Sequence, residues 1–120
     1  MHTIKIPFGG DEMMYILDKN NNVVFCEDRK IWANRIEDGK RRCVASTVIG
    51  KYRISTVFLG IDQNSGGPVP VCFMTMVFKG SSSYNLYCNR YKSWVSAELG
   101  HRQVVQAIET LQSELDFLKP

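Results

Sequence analysis

Histidine is scarce in this chain, with only His2 and His101 present. Neither has a second ligand residue at a recognised metal-binding spacing, which argues against a metal site built on either. The four cysteines, Cys26, Cys43, Cys72 and Cys88, lie far apart and form no C-x-x-C pair. No export signal accompanies them, so reduced, partly buried thiols are expected rather than disulfides or zinc ligands. Long hydrophobic runs are also missing, and nothing approaches the ~20 apolar residues of a membrane helix. The opening "MHTIKIPFGGDEMM" lacks the apolar core of a signal peptide. The expectation is a protein without membrane association that stays in the cytoplasm of the cell that makes it.

Acidic residues are nearly missing from the middle of the chain. From Gly39 to Ser93 the basic residues are Lys40, Arg41, Arg42, Lys51, Arg53, Lys79, Arg90 and Lys92, against Asp62 alone. The remainder holds seven basic and eleven acidic residues, so a net charge of +3 conceals a basic centre between acidic ends. Two readings are open: a localised anionic partner, or a solvated basic face kept for solubility.

What is present fits one small domain spanning residues 1–120. A chain of 13.7 kDa with 44% hydrophobic and 22% charged residues can bury a modest core and is not disordered. Residues 1–14 read as a loose start or a short edge strand broken by Gly9-Gly10. "YILDKNNNVVFC" reads as a hairpin over residues 15–17 and 23–26, turning through Asp18 to Asn22, because Asn tolerates positive φ and bonds its own backbone. In "EDRKIWANRIEDG", Ile31, Trp32, Ala33 and Ile36 form the apolar side of a short helix, with Asp28 as N-cap and Gly39 as its stop. Trp32 is read as a core or lid residue.

Two strands follow, over residues 42–49 and 52–60, joined through Gly50-Lys51 as a tight hairpin with glycine first. A loop over 62–70 leads to a strand over 71–78, and a shorter strand is expected around 85–89. Then the period changes. Trp94, Ala97, His101, Val104, Ile108, Leu111, Leu115 and Leu118 recur at alternating spacings of three and four. That stripe predicts one long helix capped by Ser93, ~37 Å in length. It lies either across its own sheet or, at its far end, against another copy of the chain. Gly100 in its interior implies a close approach or a local break. The fold class is therefore α+β: a small antiparallel sheet, a short helix and a long C-terminal helix.

Catalysis finds little support. His101 sits on an apolar stripe, where a satisfied core or interface histidine is the ordinary occupant, and no thiol is placed beside it by the sequence. Asp62 reads as the start of an Asx-type turn. "LGIDQNSGG" lacks both the Lys-Ser/Thr ending of a phosphate loop and the dinucleotide spacing. No residue set calls for a cofactor, and the chain is not expected to be an enzyme.

Binding has more behind it. In "RISTVFLGIDQNSGGPVPVCFMTMVFKG", Arg53 points opposite to Tyr52 and Ile54 by strand alternation. Met74, Met76 and Phe78 share one face, and Phe73, Thr75 and Val77 the other. Both faces are rather apolar, so one is expected to be covered and the other partly covered or grooved. "YNLYCNRYK" adds Tyr84, Tyr87 and Tyr91 beside Arg90 and Lys92, and rings with cations suit a nucleotide. A tyrosine-rich edge strand with solvated charges is the plain alternative.

The pattern "ISTVFLGIDQN…GP…FMTMVFKG", a tyrosine-bearing segment and "SWVSAELGH" together resemble small phage-encoded proteins of the first-described Thoeris anti-defence type. The resemblance spans about residues 15–105 and is strongest at "ISTVFLGID", "TMVF" and the Ala-x-x-Gly-His element from Ala97 to His101. It implies a sponge that binds a cyclic ADP-ribose-type immune signal in the host cytoplasm and holds it without cleavage. It also implies a homodimer or larger homo-oligomer with pockets between subunits, and some members are thought to bind cyclic oligonucleotides. Arg53 and Phe78 are the ligand contacts it carries over, with Asn85, Asn89, Arg90 and Lys92 beside them. The chain departs from the pattern at Gln63, where His is common, and at Met74, where Glu is common. Arg53, Phe78, Arg90 and Lys92 are expected to converge on one concave, phosphate-sized hollow. A nucleic-acid-binding module using the basic face, less favoured, and an inhibitor binding a host protein through a sheet edge are the alternatives.

Overall fold

The computed structural model describes residues 13–64 and 67–119. Of the loose start or short edge strand read over residues 1–14, all but Met13 and Met14 lie outside them, and Met14 makes an isolated antiparallel bridge with Ile61. A small hairpin comes first: β1 (Tyr15–Leu17) pairs antiparallel with β2 (Val23–Phe25). Asp18 builds its turn, accepting from the backbone N–H groups of Asn20 at 2.8 Å and Asn22 at 2.9 Å. Asn21 takes the left-handed conformation, φ 65°, a role its short polar side chain tolerates.

Helix α1 (Arg29–Glu37) begins where Asp28 accepts from the Lys30 and Ile31 N–H groups. Its end differs from expectation. Asp38 closes α1, and Gly39 opens a second, one-turn helix, α2 (Gly39–Arg42), whose Arg41 N–H the Asp38 carboxylate caps. Long-range bonds hold that turn in place. Arg42 donates to Phe58 O at 2.9 Å and Ile36 O at 3.1 Å, and burial pulls its pKa below the usual arginine value. Arg41 donates to Asn21 Oδ1 at 2.6 Å and to Asp18 O. Two of the central basic residues thus serve the fold.

The main sheet has four antiparallel strands in chain order: β3 (Cys43–Ile49), β4 (Tyr52–Phe58), β5 (Phe73–Lys79) and β6 (Asn85–Tyr91). Gly50, at φ 56°, makes the tight β3–β4 turn. β6 is as long as its neighbours, not shorter, because it pairs with β5 from Asn85 to Tyr91. Helix α3 (Trp94–Phe117) starts in a capping box between Ser93 and Ser96 and packs across all four strands. Ile54, Thr56, Phe58, Phe73, Thr75 and Val77 alternate onto the face it covers and are buried.

The apolar core sits at one end of that interface, where Leu17, Phe58, Cys72, Phe73 and Ala97 meet Trp94 and Ile36. The Phe58 and Phe73 rings lie 5.2 Å apart, and Trp94 meets Phe73 edge-on at 6.3 Å. Each such side chain contributes about 1.5–3 kcal/mol by leaving water. Further along, the interface turns polar. His101, only 4% exposed, places Nε2 2.8 Å from Thr47 Oγ1 and Nδ1 2.7 Å from Thr56 Oγ1, and Thr56 bonds Thr75 at 2.5 Å. It is the satisfied core histidine that its stripe implied.

The opposite face has no helix across it among the described residues. By alternation it carries Val48, Arg53, Ser55, Val57, Met74, Met76 and Phe78, all at least partly exposed. The covered-and-open arrangement of the sheet therefore follows the pattern read from β5.

Candidate ligand site

Arg53, second residue of β4, is the direct cross-strand partner of Phe78 on β5. Because Ile54 and Val77 are buried under α3, this pair must lie on the open face. The Arg53 guanidinium stands 4.8 Å from the Phe78 ring centroid, a cation–π distance. Its Nε donates to Gly80 O at 2.9 Å and one Nη to Ser82 O at 2.8 Å. Gly80, at φ 61°, lets the turn bring those carbonyls round. The side chain is thus held over the ring by the carbonyls of the β5–β6 turn. No carboxylate pairs with it, since the described residues hold a single salt bridge, Lys119 with Asp116 at 3.4 Å.

The other residues of the expected set divide. Asn85 is opposite Phe78 across a β-bulge and joins the pair at the same end of the sheet. Arg90 is opposite Met74, on the open face but four residues along β5 from Phe78, ~13 Å away. Asn89 is opposite the buried Thr75 and lines a cleft on the α3 side, its Oδ1 accepting from the Arg90 N–H at 3.0 Å. Lys92 lies past β6 in a hollow beside Asn20, Asn22, Pro70 and Trp94. One chain therefore does not gather all six into one hollow. The physical reason is the strand period of two, which sends Asn89 and Arg90 to opposite faces.

Sequence reasoning did not anticipate three features. The turn carbonyls that orient Arg53 come from main chain and have no side-chain signature. Lys51, Lys79 and Lys119 meet around Tyr52 and Gln112 at the β3–β4 turn, which only the fold brings together. The third is a partner's identity alone: the close approach that Gly100 implied is borne out, and Tyr91 is what packs there on an unbroken α3.

Two titrating groups elsewhere have clear physical causes. Burial, and secondarily Asp62, pushes the Cys72 thiol up to about 12. Burial holds His101 below the ordinary histidine range. No group of three or more His, Cys, Asp or Glu side chains among the described residues is arranged to hold a metal ion. No described helix is long and apolar enough to cross a membrane. Asp62 makes the expected Asx turn, accepting from the Asn64 and Val71 N–H groups at 2.9 Å each. No family model, no curated protein and no solved structure matches the chain.

Proposed function

We propose that the protein binds and holds a small anionic, nucleotide-like ligand, a cyclic ADP-ribose-type signal, without cleaving it. In that role it is a phage anti-defence protein acting in the host cytoplasm. One observation carries the reading: an arginine without a carboxylate partner among the described residues, set over a phenylalanine ring by two turn carbonyls. A guanidinium so held offers its remaining N–H groups to a phosphate, where charge-assisted bonds are strongest. The neighbouring ring offers a surface on which a base can stack, and Asn85 adds an amide at the same edge.

The site lies on an open sheet face, and ligand sites commonly enclose 70–90% of what they bind. Holding a scarce signal at about 1 nM requires roughly −12 kcal/mol, which calls for enclosure. A second copy of the chain laid against the apolar face supplies the missing wall, so the working form is a homodimer or larger homo-oligomer. The sequence resemblance and the face's exposed Val48 and partly exposed Met74 and Met76 support this arrangement.

The test is calorimetry with cyclic ADP-ribose, followed by heating the complex and assaying the released compound. Wild type should bind and release intact ligand. Arg53→Ala and Phe78→Ala should each weaken binding at least tenfold, a loss of about 1.4 kcal/mol, with the fold intact by circular dichroism. Equal affinity in both variants removes the site, and a cleaved product removes the sequestering role. Binding instead to nucleic acid, weakening steeply with salt, would assign the basic face to a different partner.

A further inference from the structure

Lys51, Lys79 and Lys119 take no part in the site built on Arg53 and Phe78. Strand alternation explains it for Lys79. Tyr52 and Lys79 are cross-strand partners on the face that carries Ile54 and Val77, the side covered by α3. The Gly80 N–H donates to Lys51 O at 2.6 Å, which ties the tight β3–β4 turn to the end of β5. Lys51 and Lys79 thus sit on adjoining pieces of main chain. Lys119, just past α3, comes to the same place. Gly50 lets the helix approach so closely: a Cβ there would stand 2.7 Å from Gln112 Oε1.

The three lysines line a hollow of about 370 Å³, with Tyr52, Gln112 and Leu115 completing its wall. No Asp or Glu lines it. Asp116 stands close by, accepting from Gln112 Nε2 at 3.1 Å and pairing with Lys119 at 3.4 Å. That pair is exposed, and exposed ion pairs are weak. Lys119 also complements the C-terminal end of α3, where cations are favoured. Lys51 and Lys79, which come from the sheet, have no carboxylate within ion-pair distance among the described residues. Like charges gathered without a counter-charge repel one another, and an anion entering the hollow relieves that repulsion.

We propose that this hollow is a second binding site, for a small compound bearing two or more adjacent phosphates. Lysine suits such a ligand: each ammonium is a point charge with three donors and no fixed fork to satisfy. Charge-assisted bonds from three separate elements then share the charge of a short phosphate chain. The volume lies near the lower end of the usual range for ligand pockets, ~300–1,000 Å³, which suits such a chain better than a whole nucleotide. The site stands independently of Arg53 and Phe78, which occupy the other face of the sheet.

The experiment is titration of the labelled full chain with sodium tripolyphosphate at constant ionic strength, followed through backbone amide NMR signals. Gln112 and Leu115 are the reporters, since both belong to α3, across the sheet from Arg53 and Phe78. Tripolyphosphate should shift both signals, and sodium sulfate at equal ionic strength should shift them far less. Lys51→Gln combined with Lys79→Gln should weaken binding about tenfold or more. Lys30→Gln combined with Lys40→Gln removes the same charge from α1 and α2 and should change it less than about twofold. All four side chains are exposed, so both double variants should keep the fold by circular dichroism. The proposal is overturned if Gln112 and Leu115 do not shift at millimolar tripolyphosphate. It is equally overturned if the two double variants weaken binding alike, as they would were net charge alone attracting the anion.

Discussion

Replacing Gly100 with alanine sets two effects of opposite sign against each other. In the middle of a helix alanine is favoured over glycine by about 1 kcal/mol. Here the added methyl would approach the Tyr91 ring closer than 3.0 Å, on three of its atoms. The ring cannot retreat along its own strand, because Tyr91 is paired with Phe73. It must strain the packing or swing out of the interface, and overpacking of this kind costs about 1–3 kcal/mol. The net expectation is a loss of about 1 kcal/mol in the wild-type background. Removing the ring removes the conflict. In a Tyr91→Ala background, Gly100→Ala should instead stabilise by about 1 kcal/mol, so the cycle should show a coupling of about 2 kcal/mol. Urea unfolding of the four proteins at one protein concentration measures every corner of the cycle. If Gly100→Ala stabilises both backgrounds equally, the close approach of Tyr91 to Gly100 does not exist.

Two further outcomes follow from titrating groups. His101 is held neutral in the fold by burial, while the unfolded chain takes up a proton near the ordinary value of 6.5. Its contribution to stability is therefore full above pH ~6.5 and is lost as pH falls toward the lowered folded value. Thermal melting from pH 8 to 5 should show that decline, and His101→Gln should flatten it; a variant with the same pH slope refutes the assignment. Cys72 is fully buried with its thiol raised to about 12, so it should resist iodoacetamide at pH 8 in the native protein. Mass mapping should find label first on the less buried Cys43 and Cys88, and early modification of Cys72 would contradict its placement.

Local chemistry was readable from the chain wherever a residue acts on its own neighbours. Asp18 turning the first hairpin, Asp28 and Ser93 capping helices, and Gly50 at the tight turn all act within four residues of themselves. The alternation of β5 was readable for the same reason, since the pleat is local. The one-turn helix at Gly39 was not. A glycine is a poor opener by propensity, and the turn is held by Arg42 reaching Phe58 O, sixteen residues on. The fate of the basic centre was likewise decided at long range. Arg41 and Arg42 are taken up by backbone carbonyls, which a count of charges cannot foresee. For the candidate site, the pair Arg53 and Phe78 could be carried over one residue at a time. The separation of Asn89 from Arg90 was legible too, since neighbours on any strand point to opposite faces, and grouping the two in one site overlooked that alternation.

The register of β4 against β5 has an identifiable guardian. A one-residue slip of β4 against β5 would send every side chain to the wrong face, and apolar residues on both faces of β5 would resist it weakly. The buried polar chain resists it strongly. Thr56 must stand opposite Thr75 for their hydroxyls to bond, and both His101 nitrogens must find Thr47 and Thr56 at once. Any slip leaves several buried polar atoms unpaired, at about 1–3 kcal/mol each. The same register that aligns Thr56 with Thr75 sets Arg53 opposite Phe78, three residues away on each strand. A network buried on one face thus fixes the geometry of the pair on the other, so disturbing His101 should loosen the contact of Arg53 with Phe78, which it never touches.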